Sequence, residues 1–263
     1  MTKPPDFKYL KVNCDGRRAT LSLNRPEKLN ALSGEMMAEI TTAANWFDSQ
    51  NDLRVVAISG AGRSFCAGFD VNDFDKDKKS STSESWDTNN LGQIMTDALE
   101  AMAPVAIACL HGHVIGGGVI LAAACDLRVA TIDTVFSIPE VDLGIPLTWG
   151  GIPRLLREIG PAITKELVMT CRPFDANEAV SLGFLNRVVA NDQLDTVTND
   201  LAESIASRPK VATLATKAHI NAVTAEMVRT TPFWSDTDAF GVAMRDTEAQ
   251  ASRIAYLKSL RIK

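Results

Sequence analysis

The sequence predicts an α/β core built on a mostly parallel sheet, followed by a helical part. Short β-rich runs alternate with helical patterns up to about residue 150, which implies right-handed crossovers between parallel strands. Beyond that point the strand signal fades, apart from "NRVV" at 186–189, and helix-forming segments dominate. With 263 residues, 46% of them hydrophobic, the chain can fill a sizeable core, so one large domain with an appendage is expected over two equal ones. The division is placed between residues 1–195, the α/β core, and 196–263, the helical C-terminal region.

The elements follow in order. Tyr9 to Asn13 and Ala19 to Leu23 flank a turn at Asp15-Gly16 and predict a hairpin. A helix opens near Ser33, with Met36, Ile40, Ala43 and Phe47 at helical spacing. "RVVAISG" (54–60), "PVAIACL" (104–110), "DLRVA" (126–130) and "TVFSI" (134–138) read as strands, separated by helical patterns around 90–102 and 118–125. Helices are expected at 152–159, 162–170, 175–182, 192–206, 210–227 and 236–258. The polar stretch "KDKKSSTSESWDTNN" (76–90) reads as a mobile surface loop of a length that often covers a ligand.

Composition excludes several classes of function. A formal charge of -5 argues against a nucleic-acid partner. The five cysteines are scattered and odd in number, and the three histidines join no cluster with them, so no metal is expected and a reducing compartment fits best. The start, "MTKPPDFKYL", lacks the basic-then-apolar pattern of a signal peptide, and no apolar run is long enough to span a bilayer. A cytoplasmic protein with no membrane partner is expected.

Two glycine-containing turns follow predicted strands: "SGAGRSFCAGFD" (59–70) and "HGHVIGGG" (111–118). In an open α/β sheet both lie where ligands bind, beyond the carboxyl ends of strands. Glycine lets the backbone approach a ligand, and a helix starting at Gly117 points N–H groups outward. The backbone N–H groups of Phe69 and Gly117 are therefore candidates for an oxyanion hole. On spacing alone, the glycines equally suit tight turns and close packing. Neither a dinucleotide fingerprint nor a P-loop is present.

Five motifs in order carry a resemblance: "LSLNRPEKLNAL" (21–32), "SFCAGFDV" (64–71), "GHVIGGGVILAAACDLRVA" (112–130), "FSIPEVDLGIPLTWGG" (136–151) and "FDANEAVSLGFLNRVV" (174–189). Together they resemble the enoyl-CoA hydratase/isomerase family, the crotonases. The resemblance implies an α/β crotonase-like spiral of ββα repeats with a helical C-terminal trimerisation region. It further implies a homotrimer or dimer of trimers that binds an acyl-CoA thioester, with no cofactor beyond the coenzyme A of the substrate. By the same resemblance Ala67, Phe69, Asp70 and Val71 lie along the adenine and pantetheine, and Arg25 and Lys28 meet the phosphates. Arg63 is an equally suitable phosphate partner.

Hydratases of this family place two glutamates beside the acyl chain. This sequence resembles them in Glu140, of "SIPEVDLG", but has Ile120 at the other position. One carboxylate suffices to take the C2 proton of a 3-enoyl thioester and return it to C4. Hydration also needs a water held and deprotonated at C3, and apolar bulk at residue 120 removes half of the usual pair. Double-bond isomerisation by Glu140 is therefore favoured over hydration. Thioester hydrolysis and non-catalytic acyl-CoA binding stay open.

Dienoyl-CoA isomerases, similar at "EVDLG", carry further acids where this chain has Ile120 and Thr148. Asp142 is a weaker second carboxylate, on the same side as Glu140 if the backbone is extended. Ile120, Leu147 and Trp149 are expected to line the acyl pocket, with ordinary core packing as the alternative for the last two.

Overall fold

The computed structural model describes residues 2–73, 82–228 and 236–261. Six strands make the larger sheet, in the order β1 (Leu10–Asp15), β2 (Arg18–Leu23), β3 (Val55–Gly60), β4 (Val105–Leu110), β6 (Leu127–Thr131) and β9 (Arg187–Val189). β1 and β2 form the predicted hairpin, and every later pairing is parallel, with Leu21 opposite Ile58 and Ile58 opposite Ala108. A smaller sheet holds β5 (His113–Ile115), β7 (Val135–Ser137) and β8 (Phe174–Asp175).

These two sheets make a spiral. After β2, Leu32 bridges Phe69, and after β3, Cys66 bridges Val114 in the smaller layer. After β4 and β6 the chain enters that layer as β5 and β7. Each passage leads to a helix: Gly34–Asp48, Thr82–Ala101, Gly117–Ala123 and Gly151–Thr170 in turn. The result is the crotonase-like ββα spiral, with the helical region after it.

β4 explains why the sheet is central. All six of its residues are buried, and they alternate between two apolar clusters. Ala106, Ala108 and Leu110 face the main core, while Val105, Ile107 and Cys109 face the other side. This period of two, apolar on both faces, is what a covered parallel strand requires. The second face is covered by helix Leu194–Ala206, whose Leu194, Leu201, Ala202 and Ile205 recur at helical spacing. Helix Gly34–Asp48 behaves likewise on the first face, burying Met36, Ile40, Ala43 and Phe47. Ser33 caps it, accepting from the Met36 N–H at 3.3 Å.

Two expectations change. Residues 82–90 of the polar stretch belong to helix Thr82–Ala101, not to a loop, while 76–81 lie outside the described residues. Buried Met95 and Leu99 anchor the later turns of this helix, and such packing overrides weak local propensity. The C-terminal helix expected at 236–258 is two, Asp236–Arg245 and Thr247–Arg261. Among the described residues no helix is long and apolar enough to cross a membrane.

Candidate active site

The glycine run joins β5 to a short helix that is buried along its whole length. Gly116 sits at φ 49° and ψ -116°, a conformation that essentially only glycine adopts. Its N–H donates to the Ser137 carbonyl at 2.8 Å, which ties the run to the end of β7. A Cβ at residue 116 would lie 2.5 Å from Glu140 Oε1. The bare backbone therefore makes room for the carboxylate.

Glu140 follows β7 through Ile138 and Pro139 and begins a tight turn, with the Leu143 N–H donating to Pro139 and the Ile145 N–H to Glu140. Its side chain points inward. The residue keeps partial exposure, yet Oε2 is buried and has no hydrogen-bond partner among the described residues. Burial pushes its pKa up to about 7, with only a backbone hydrogen bond opposing. The turn also corrects the extended backbone assumed for Asp142, whose residue is exposed.

The two candidate N–H donors belong to neighbouring segments. The Ile115 N–H donates to the Cys66 carbonyl at 3.0 Å, and the Leu32 N–H to the Gly68 carbonyl at 2.7 Å. A Cβ at Gly68 would lie 3.5 Å from the Gly117 nitrogen. Phe69, next in the chain, thus stands beside the first turn of helix Gly117–Ala123. Within that turn the Val119 N–H donates to the Gly116 carbonyl at 2.8 Å, whereas the Gly117 N–H, at the first helical position, comes before any intrahelical acceptor.

Trp149 reaches the same point from the opposite side. A Cβ at Gly117 would come within 2.2 Å of its indole Cζ3, and one at Gly92 within 2.1 Å of Cε2, so the ring packs directly on two bare backbones. The Phe69 ring meets it edge-on at 6.1 Å between centroids. Trp149 has φ 61°, a left-handed conformation that costs a bulky residue about 1–3 kcal/mol. Local bonds offset that strain. The Trp149 carbonyl accepts from Thr96 Oγ1 and from Arg154 Nη1, both at 3.0 Å, and the Gly150 N–H donates to Asp236 Oδ2 at 2.9 Å. Arg154, 1% exposed, is itself fixed by Asp97 and Glu100 at 2.8 and 2.6 Å.

Ile120 and Leu147 are buried and meet over Gly151, one turn further along the helix from Gly117. Arg25 and Asp70, expected on the coenzyme, bond to each other at 2.9 Å and are 12% and 8% exposed. The Arg25 guanidinium also donates to the Ala31 carbonyl at 2.8 Å and lies over the Tyr9 ring. Lys28 is exposed, while Ala67 and Val71 are half-buried, and the Ala67 N–H donates to Leu29 beside Lys28. Arg63 is exposed on the same loop.

Other polar groups nearby are used structurally. Burial pushes the Cys66 thiol up to about 12, which leaves it un-ionised at neutral pH. His111 and His113 pair with the Gly62 carbonyl and with Ser64 Oγ. Among the described residues there is no cluster that would hold a metal ion.

Sequence reasoning missed Gly92, Thr96, Arg154 and Asp236, all of which fix Trp149. A glycine inside a helix, where it costs about 1 kcal/mol against alanine, was the one available signal. It also missed Tyr256. The pKa of that half-buried phenol is raised by burial first and then by the charges of Glu140 and Asp142. Gly144 lies directly against Ala249 of the same helix, Thr247–Arg261.

Fold and site together define a class: a ββα spiral in which one desolvated acid stands at a glycine run and faces the start of a buried helix. Comparison with known proteins agrees. The family model for enoyl-CoA hydratase/isomerase matches residues 18–262, and the chain belongs to that family. It is 30% identical over 250 residues to a short-chain-enoyl-CoA hydratase of Clostridium acetobutylicum, covering 94% of each chain. It is 35% identical over 226 residues to the peroxisomal Delta(3,5)-Delta(2,4)-dienoyl-CoA isomerase of Arabidopsis thaliana, covering 81% of this chain and 80% of the relative. The crystal structure of an enoyl-CoA hydratase from Bacillus anthracis superposes with a TM-score of 0.77 at 25% identity, covering 96% and 97% of the two chains.

Proposed function

We propose that this enzyme moves the double bond of a 3-enoyl-CoA thioester to give the 2-enoyl thioester, with Glu140 as the sole proton carrier. The observation that carries this reading is a carboxylate with one buried oxygen that has no partner among the described residues, combined with an isoleucine 1% exposed at residue 120. The N–H groups of Phe69 and Gly117 hold the thioester oxygen as it becomes an enolate, at roughly 3 kcal/mol per donor. Glu140 removes the C2 proton, the electron pair shifts through C3, and the protonated Glu140 delivers the same proton to C4. A pKa of about 7 suits both halves of that cycle.

The coenzyme is proposed to run along Ala67 and Val71, with exposed Lys28 and Arg63 meeting its phosphates. Arg25 and Asp70, bonded to each other, hold that segment in shape. Assembly as a homotrimer or dimer of trimers fits the exposed Val211, Ile220, Val223 and Met227 of helix Lys210–Met227.

A second reading is hydration, with Glu140 activating water at C3. The name of the Clostridium relative and the partial exposure of Glu140 favour it. Incubation with 3-hexenoyl-CoA and with crotonyl-CoA, followed by liquid chromatography against isomer standards with mass detection, separates the two. Isomerisation predicts 2-hexenoyl-CoA from the first and little mass gain from the second. Rapid conversion of crotonyl-CoA to a product heavier by one water overturns it in favour of hydration, and release of thiol selects hydrolysis.

A further inference from the structure

We propose that the Trp149 indole closes the acyl site at short chain length, making residue 149 the position that sets substrate size. The inference rests on the reading that a thioester oxygen meets the N–H of Gly117, and it adds the class of acyl group.

The geometry carries it in three steps. Glu140 and Trp149 pack on successive residues of one backbone turn, the carboxylate on Gly116 and the indole on Gly117. An acyl α-carbon within reach of Glu140, with its carbonyl at Gly117, therefore has the indole as its next neighbour. Second, the far side of the same helix face is already filled, since Ile120 and Leu147 close on each other over Gly151 and are 1% and 5% exposed.

Third, the ring is closely held. The bare backbones of Gly92 and Gly117 both pack against it and Phe69 meets its edge, although the residue is only half-buried. Its backbone, at φ 61°, is held by Thr96, Arg154 and, through Gly150, Asp236. A leucine or methionine would rotate away from a longer chain. A bulky indole packed on two bare backbones and carried by a pinned turn yields less readily, and it rejects the extra methylenes.

Trp149→Gly is the direct test, because glycine is at ease at that φ and keeps the turn while removing the ring. The wild type, W149G and W149F are compared on butenoyl, hexenoyl, decenoyl and hexadecenoyl thioesters by kcat/KM. Binding of the matching saturated thioesters is followed by calorimetry. The wild type is expected to prefer the two shorter chains.

W149G is expected to raise the decenoyl-to-hexenoyl ratio by about tenfold or more, the scale at which a filled pocket rejects a single methylene. W149F, which keeps a ring, falls between the two and serves if W149G does not fold. A wild type that prefers long chains, or an unchanged ratio in a folded variant, overturns the inference alone. A wild type that neither binds nor converts any thioester overturns the acyl-CoA reading and the inference with it.

Discussion

Asp126 and Glu140 are both acids withdrawn from water, and the protein treats them in opposite ways. Asp126 Oδ2 accepts from the Ala106 N–H and from Lys217 Nζ, each at 2.7 Å, and Lys217 also donates to the Pro104 carbonyl at 2.9 Å. Burial raises the Asp126 pKa while the lysine beside it pulls the other way. Glu140 is raised by the same burial, but no cation opposes it and Oε2 accepts nothing from the described residues. The first acid ties helix Lys210–Met227 to the edge of β4. The second keeps one oxygen without a partner among the described residues, and that oxygen is thereby available to a ligand. Among buried charges, completeness of pairing separates a structural role from a reactive one.

Glu140→Gln tests the reactive side of that contrast and has the largest expected effect. The amide keeps the size of the side chain and cannot cycle a proton, so turnover should fall by about 10²- to 10⁴-fold while acyl-CoA affinity is retained. Steady-state kinetics paired with calorimetry reads both. Unchanged kcat would end the comparison, because Glu140 would then be a mispaired structural acid.

Lys217→Met tests the other side. It leaves Asp126 buried without its cation, at a cost of about 3 kcal/mol, the low end for a broken buried pair because Asp126 keeps some solvent contact. Urea unfolding should show that loss, with turnover per folded molecule unchanged. A variant as stable as the wild type would mean that pairing, at this site, is incidental.

How much of this was legible in the sequence follows from range. The strands, the hairpin and the glycine turns announce themselves over a few residues, and so does Glu140 beside its proline. The burial of Glu140 does not, since it depends on Gly116 lying against the carboxylate from another turn of the spiral. Trp149 was nominated for an acyl pocket, but the clamp around it draws on Gly92, Thr96 and Asp236, dozens of positions away, and no local pattern joins them. The stretch 82–90 failed for a different reason. Its Ser, Thr and Asn content argues for a loop, while the helix it belongs to is anchored by Met95 and Leu99 further on. Pairing Arg25 with Asp70 was equally out of reach, because the two lie on different turns and each alone reads as a ligand contact.

The smallest effect is the most diagnostic, because one group drives two observables in opposite directions. Glu140 titrates near 7 in the folded chain against an ordinary value of 4.5, so between those values the folded state binds its proton more tightly than the unfolded state does. Stability must therefore fall as pH rises through that window, by about 2 kcal/mol after allowance for the partial exposure of the residue, at 1.36 kcal/mol per pKa unit. Activity runs the other way, because only the ionised carboxylate removes the C2 proton, and kcat/KM should climb with pH and level off above about 7. Glu140→Gln should flatten this part of the stability profile and leave the variant more stable than the wild type at pH 8. Lys217→Met should steepen what remains, since Asp126 then loses the charge that holds its pKa down. Urea titrations at several pH values give the stability limb and initial rates give the other. If both limbs stay flat in the wild type, Glu140 is already ionised and partnered in solution, and the distinction between the two acids disappears.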